Sequence, residues 1–207
     1  MLKMMLAFFK DLFKYRRQIR KEKAWIQKYI AQKGYSLNPD WIMRTNLEIW
    51  LAEMEETFGK RYCPCFEPSG DSAADRKMLC PCKYIDDEIA EYGTCHCALF
   101  GAPDLSKEGW KKSSQRLQAE YRVPIHLDGN LLDTRGMPLD KRRGLPVPDA
   151  MHQVKTALQN HSGDGLEVIV AREQEAINLE KIAAYRGFES ERTDNTEGAY
   201  RIKLKRS

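Results

Sequence analysis

All six cysteines of this 207-residue chain fall into three Cys-x-Cys pairs: Cys63-Pro64-Cys65, Cys80-Pro81-Cys82 and Cys95-His96-Cys97. Two cysteines one residue apart can reach the same metal, and a proline between them fixes one φ angle, so each loop is partly ordered before a metal arrives. One tetrahedral metal or one cubane cluster consumes at most four thiolates. Two cysteines then remain beside it for other work, and the pattern points to a cluster next to a reactive dithiol.

Other frameworks account for the pattern less well. A four-cysteine zinc site leaves two thiols over and usually takes Cys-x2-Cys spacing. A three-disulfide framework belongs to small secreted domains. No apolar run reaches the roughly 20 residues needed to cross a bilayer, and the start of the chain lacks a secretory pattern. The protein is therefore expected in the cytoplasm, where thiols stay reduced, and no membrane partner is expected. With 42% apolar and 31% charged residues, the chain has room for one large or two small cores. A formal charge of +4 is too small to argue for a nucleic-acid partner.

The cations gather at the front. In the first 34 residues ten lysines and arginines face only Asp11 and Glu22, and no Pro or Gly interrupts Leu2 to about Gln32. One basic amphipathic helix is expected there, its residues 1–19 an extension of the domain that follows. Leu2, Met5, Leu6, Phe9, Leu12 and Phe13 would pack on the chain's own domain, on a twin subunit, or on a membrane surface. Gly34 ends that helix, and Asn38-Pro39-Asp40 caps a second one, stopped by Gly59. Its expected buried stripe is Trp41, Ile42, Leu47, Trp50, Leu51 and Met54. A short helix is expected over Ile85 to Tyr92, with Asp86, Asp87 and Glu88 solvated or capping. Residues 106–122 read as a linker containing a helix. From Val123 the texture alternates: a strand over Ile125–Asp133, a helix over Asp149–Asn160, a strand over Leu166–Ala171, a helix over Gln174–Tyr185, and strands over Phe188–Thr193 and Ala199–Lys205. The expected class is α+β and multidomain: a mainly helical iron-sulfur domain (20–105), then a two-layer α/β sandwich of order β-α-β-α-β-β (123–207).

The order C-P-C, C-P-C, C-H-C, with Cys82-Lys83-Tyr84-Ile85-Asp86-Asp87-Glu88-Ile89 continuing the second pair, resembles the catalytic subunit of ferredoxin-thioredoxin reductase and its ferredoxin:disulfide reductase relatives over roughly residues 20 to 105. The resemblance implies one 4Fe-4S cluster held by Cys63, Cys80, Cys82 and Cys95, a redox-active disulfide between Cys65 and Cys97, and His96 as proton donor and acceptor. Cys65 would attack the substrate disulfide and Cys97 resolve the mixed disulfide. Phe66 departs from the family, which commonly has a basic residue after its first C-P-C. Lys60, Arg61, Arg76, Lys77 and Lys83 flank the cysteines, either to attract an acidic electron donor or as ordinary solvated side chains.

The back half resembles the TusA/SirA-like sulfur carriers through Leu132-Asp133-Thr134-Arg135-Gly136, Leu145-Pro146-Val147-Pro148 opening a helix through Lys155, Gly165-Leu166-Glu167-Val168 and Gly198-Ala199-Tyr200-Arg201. That family carries a persulfide on a cysteine at the helix N-terminus, where this chain has Leu145. Without the thiol, the domain is expected to dock a partner or to stabilise or dimerise the reductase. His126, His152 and His161 lack metal-ligand spacing and read as surface or packing residues.

The function expected is an iron-sulfur disulfide reductase, an oxidoreductase that passes single electrons from ferredoxin or a similar carrier to a thioredoxin-like or sulfur-relay protein. The other reading is a noncatalytic cluster- or zinc-binding adaptor that docks a sulfur-trafficking partner through its C-terminal domain.

Overall fold

The computed structural model describes residues 2–121, 127–135, 139–140, 145–146, 150–160, 165–194 and 198–206. The chain mixes helix and sheet and divides into two compact units, Met1–Phe66 with Ala73–Ala119, and Glu67–Ser72 with Glu120–Ser207.

The first unit is mainly helical. It carries α1 (Leu2–Lys14), α2 (Arg16–Lys33), β1 (Ser36–Leu37), α3 (Trp41–Phe58), α4 (Ser72–Arg76, whose first residue falls in the second unit), α5 (Ile85–Tyr92), β2 (Phe100–Gly101) and most of α6 (Lys107–Tyr121). The long front helix expected from composition is interrupted at Tyr15, where φ is −95° and ψ 10°. Helical hydrogen bonds nevertheless run through the interruption, Tyr15 N donating to Asp11 O and Ile19 N to Tyr15 O. Buried Tyr15 therefore stays in phase with Ile19 and Ile26, which are buried too.

Asp40 caps α3 by accepting from Ile42 N at 2.9 Å and Met43 N at 3.1 Å, and Gly59 ends it in the left-handed conformation. Leu47, Leu51 and Met54 are buried as expected, but Trp41 and Ile42 are exposed. Both stand in the first turn, ahead of the stretch Thr45–Met54 in which α3 is enclosed. That enclosure takes in Glu53 and, at the α2–α3 packing, two carboxylates matched to cations: Glu48, 3.6 Å from Lys23 Nζ, and Glu22 of α2, paired with Arg61, whose guanidinium also lies 4.5 Å over the Trp25 ring. Loss of hydration pushes both carboxyl pKa values up, and the cations only partly offset it.

The segment read as a linker is largely α6. Its Trp110 is buried, and a Cβ on Gly101 would stand 2.6 Å from the Trp110 ring, so only glycine fits there.

The second unit is built on a sheet of order β3-β4-β7-β9-β8, with β3 (Leu127–Asp128), β4 (Leu131–Asp133), β7 (Gly165–Val170), β8 (Phe188–Asp194) and β9 (Tyr200–Arg206). β4 and β7 are parallel and the other pairs antiparallel. Parallel pairing requires a crossover, which α7 (Ala150–Asn160) supplies, and α8 (Glu173–Tyr185) joins β7 to β8. Leu166, Val168, Ile202 and Leu204 form one buried sheet face, matched by buried Leu179 and Ile182 of α8.

The strand expected over 125–133 is a hairpin. Asp128 and Leu131 pair across Gly129, whose φ of +59° is favourable only without a side chain. Leu145 lies in β6 (Leu145–Pro146), paired with β5 (Leu139–Asp140), and not in the first turn of α7. Residues 147–149 of that motif, His126, His161 and the His152 side chain lie outside the described residues. Residues 67–72 join this unit because buried Asn178 of α8 donates to Glu67 Oε1 at 3.0 Å and to the Pro68 carbonyl at 2.7 Å.

The raised pKa of Glu22 has a pH signature. Between the unfolded carboxyl value and the higher folded one, the folded chain holds a proton that the unfolded chain releases. The associated stability is complete below the unfolded pKa and is lost as pH rises through the folded one. Urea unfolding of wild type and Glu22→Gln from about pH 4 to pH 8 should show the stability of wild type falling relative to the variant as pH rises. A constant difference would show that Glu22 does not titrate abnormally.

Candidate functional site

Short backbone ladders bring the three cysteine pairs together. Tyr62 and Leu79 form an antiparallel bridge, with Cys63 N donating to Met78 O and Cys80 N to Arg61 O, both at 2.8 Å. The first two pairs therefore start from adjacent strands. Cys63-Pro64-Cys65-Phe66 closes as a turn, Phe66 N donating to Cys63 O at 3.0 Å, and Phe66 is buried with its ring 5.9 Å from that of Tyr62. An aromatic packing role thus occupies the position where the family commonly has a basic residue. The Cys80-Pro81 peptide is cis, and the Cys82 carbonyl accepts from Ile85 N at the start of α5.

The third pair follows α5, which ends at Gly93. Cys95 N donates to Phe100 O and Ala98 N to Cys95 O, both at 2.9 Å, and Ala98 takes a left-handed φ of 57°. That tight turn is clamped from outside. β1 pairs with β2, and the Asn38 side chain donates to the Ala98 carbonyl at 2.8 Å. From α2, the rings of Tyr29 and Trp25 stand edge-on to Phe100 at 5.2 and 6.2 Å.

All six sulfurs are free thiols, and five are buried; Cys65 alone is partly exposed. Cys63 Sγ lies 2.9 Å from Cys65 Sγ, and Cys95 Sγ 3.7 Å from Cys97 Sγ. Cys63 also hydrogen-bonds with Cys82 and Cys97, which joins the three pairs into one cluster of sulfur. Its thiol pKa is pushed well up by those neighbours and by burial, while Cys80 and Cys95 are pushed up chiefly by burial. Cys97 goes the other way: hydrogen bonds from Cys63 and Cys95 lead, helped by the Leu99 amide and the charge of His96.

His96 is buried, and so is Glu88. Glu88 Oε2 accepts the His96 backbone N–H at 2.7 Å, and Oε1 stands 3.9 Å from His96 Nδ1. This corrects the reading of the three acids of α5 as solvated or capping. Asp86 and Asp87 are exposed, with Asp86 accepting from Tyr35 and Lys33, but Glu88 turns inward and fixes the backbone between the last two cysteines. The helical offset of Glu88 from Ile85, three residues on and buried as well, is the signal that would have found it.

The donor set fits an iron-sulfur cluster. Six sulfurs gather in these loops, a soft ligand set, and burial and mutual closeness hold the Cys63, Cys80 and Cys95 thiols up, so a cation among them would favour their thiolates. Among the described residues, no three His, Cys, Asp or Glu side chains already stand in a metal-ligand arrangement.

A family model described as ferredoxin thioredoxin reductase catalytic beta chain matches residues 14–123, more than half of the chain. No curated protein matches it.

Two measurements follow from the burial pattern. Mass-mapped alkylation of the reduced, cluster-free chain with a bulky maleimide should label Cys65 at least about tenfold faster than any other cysteine, as access governs thiol reactivity. Equal labelling would show that the other five are not enclosed. Glu88→Ala should cost about 1–3 kcal/mol of unfolding free energy, whereas Glu88→Gln, which keeps an acceptor for His96 N, should cost less. Equal losses would assign the effect to packing.

Proposed function

We propose that this chain, which belongs to the ferredoxin thioredoxin reductase catalytic beta chain family, is an iron-sulfur disulfide reductase whose reacting pair is Cys65 and Cys97. The observation that carries this reading is the asymmetry of the six thiols: one is partly exposed and five are buried, with Cys63 hydrogen-bonded to Cys65, Cys82 and Cys97. A substrate disulfide needs one accessible nucleophile, and a resolving thiol is best kept away from every disulfide except the one it must close.

Cys63, Cys80, Cys82 and Cys95 would hold a 4Fe-4S cluster, which supplies one-electron transfer beside the dithiol. The Cys65 thiolate attacks one sulfur of the substrate disulfide, forming a mixed disulfide and releasing the first substrate thiol. Cys97 attacks the Cys65 sulfur, expels the second substrate thiol and leaves a Cys65–Cys97 disulfide. Two electrons from the donor and two protons restore the dithiol. His96, adjacent in sequence to Cys97 and held by Glu88, exchanges the proton of Cys97.

Lys60, Arg76, Lys77 and Lys83 are exposed near the cysteine pairs, which supports an acidic electron carrier such as ferredoxin. Arg61 belongs elsewhere, since it is paired with Glu22. The family implies a thioredoxin-like substrate, and a sulfur-relay protein is the narrower proposal. We read the second unit as a TusA/SirA-like docking module without the carrier thiol. Setting aside the first hairpin strand and the β5-β6 ladder, its remaining elements run β-α-β-α-β-β, which supports that reading.

The test compares Cys65→Ser and Cys97→Ser with wild type, measuring iron content and disulfide reduction driven by ferredoxin. Both variants should retain iron and lose reduction by at least about 10³-fold, the scale on which loss of a nucleophile acts. Electron paramagnetic resonance of reduced wild type alkylated at Cys65 should show a new signal that Cys65→Ser lacks. Zinc in place of iron, or reduction that survives in Cys65→Ser, would sink the proposal and leave the adaptor reading.

A further inference from the structure

Two apolar stripes run along the front of the chain, and the domain uses only one. Phe8, Leu12, Tyr15, Ile19 and Ile26, with the Arg61-paired Glu22 in the same row, recur at steps of four and three residues through α1 and α2, and all are buried or half-buried. Leu6, Phe9 and Phe13 form a second stripe about a third of a turn away and remain 61%, 53% and 70% exposed. Phe8 touches both Phe9 and Trp41 ring to ring, at 5.6 and 6.3 Å, which extends the patch to Trp41 and Ile42, 55% and 49% exposed. These five are most of the seven large apolar side chains exposed among the described residues. Leu6, Phe9 and Phe13 also precede residue 14, where the family match begins.

Charge identifies the occupant. Lys10 and Lys14 are exposed along the edge of the second stripe, and Arg16, Arg17 and Arg20 are exposed just beyond it, with Arg16 4.4 Å over the Phe13 ring. An apolar stripe edged with cations, and a tryptophan beside it, is the arrangement that lies in an anionic bilayer surface: side chains enter the acyl boundary while cations meet phosphates. A second copy fits worse, because the same patch on a twin brings a further set of lysines and arginines and no row of carboxylates to meet them. No described helix is long and apolar enough to cross a membrane, so the geometry is that of a helix lying on the surface.

We propose that α1, with Trp41 and Ile42, docks this protein reversibly on membranes rich in anionic lipid. The site is separate from the cysteines, and vesicle binding needs neither electron donor nor substrate, so the idea stands apart from the reductase reading.

The test is flotation of the full-length chain with vesicles of phosphatidylcholine alone and of phosphatidylcholine mixed with phosphatidylglycerol. Wild type should float with the mixed vesicles in dilute salt, and should detach in concentrated salt. Each cation near an anionic surface contributes roughly fivefold to partitioning, so Lys10→Glu/Lys14→Glu should weaken binding roughly 25-fold or more. Phe9→Glu/Phe13→Glu should abolish binding, with the cysteine alkylation pattern unchanged as proof of folding. No flotation, or equal flotation with neutral vesicles, would overturn the proposal. So would sedimentation showing a dimer that Phe9→Glu/Phe13→Glu dissociates, which would give the patch to a second copy.

Discussion

The bridge between Tyr62 and Leu79 is the constraint on which the cysteine site depends. It sets Cys63 and Cys80 on adjacent backbones through two hydrogen bonds of 2.8 Å. Each loop can then turn its second cysteine back toward the same point, since one intervening proline leaves little freedom. Arg61 ties this bridge to α2: its carbonyl accepts from Cys80 while its guanidinium meets buried Glu22 and the Trp25 ring. Trp25 in turn meets Phe100, the residue whose carbonyl closes the turn of the third pair. One helix face thereby supports all three pairs, and a shift of α2 would disturb each of them.

Enclosing so much polar chemistry is costly, and the chain meets the cost locally. Buried Glu22 and Glu48 each have a cation, and buried Glu88 has a backbone amide. The thiols mainly have one another. Burial raises Cys80 and Cys95, whereas Cys97 is lowered by hydrogen bonds that its neighbours donate. Thiols held up by burial and by one another would ionise more readily around a cation, and the same closeness would suit exchange of a disulfide between two of them. On the proposed reading, cluster and dithiol would be two uses of one packing problem.

The cysteine pattern was legible because it depends on spacing within short loops, where chain length decides what can meet. The caps at Gly34, Asp40 and Gly59 were legible for a similar local reason: each satisfies or ends its own turn. Periodicity was less informative wherever a residue's surroundings come from distant chain. Trp41 and Ile42 fit an apolar stripe but stand ahead of the enclosed part of α3, and Glu88 looks like its exposed neighbours until the third cysteine turn presents an amide to it. The hairpin at Gly129 carried its turn signal in Asp128-Gly129, yet the run of apolar residues around it reads as one strand. The TusA/SirA-like motif placed Leu145 at a helix start, whereas Pro146 closes a short ladder with Leu139 instead.

The two stripes of the front helices show why an amphipathic pattern does not by itself say where a helix packs. At 3.6 residues per turn, the Phe8-to-Ile26 series already supplies what α1 and α2 need to cover the domain. Leu6, Phe9 and Phe13 add apolar surface that this packing does not use, on a helix that also exposes Lys10 and Lys14. A residue that only filled a gap would sit in the first series. Placing three large side chains in the second is unfavourable in water, so their position is best explained by something outside the domain that removes them from it.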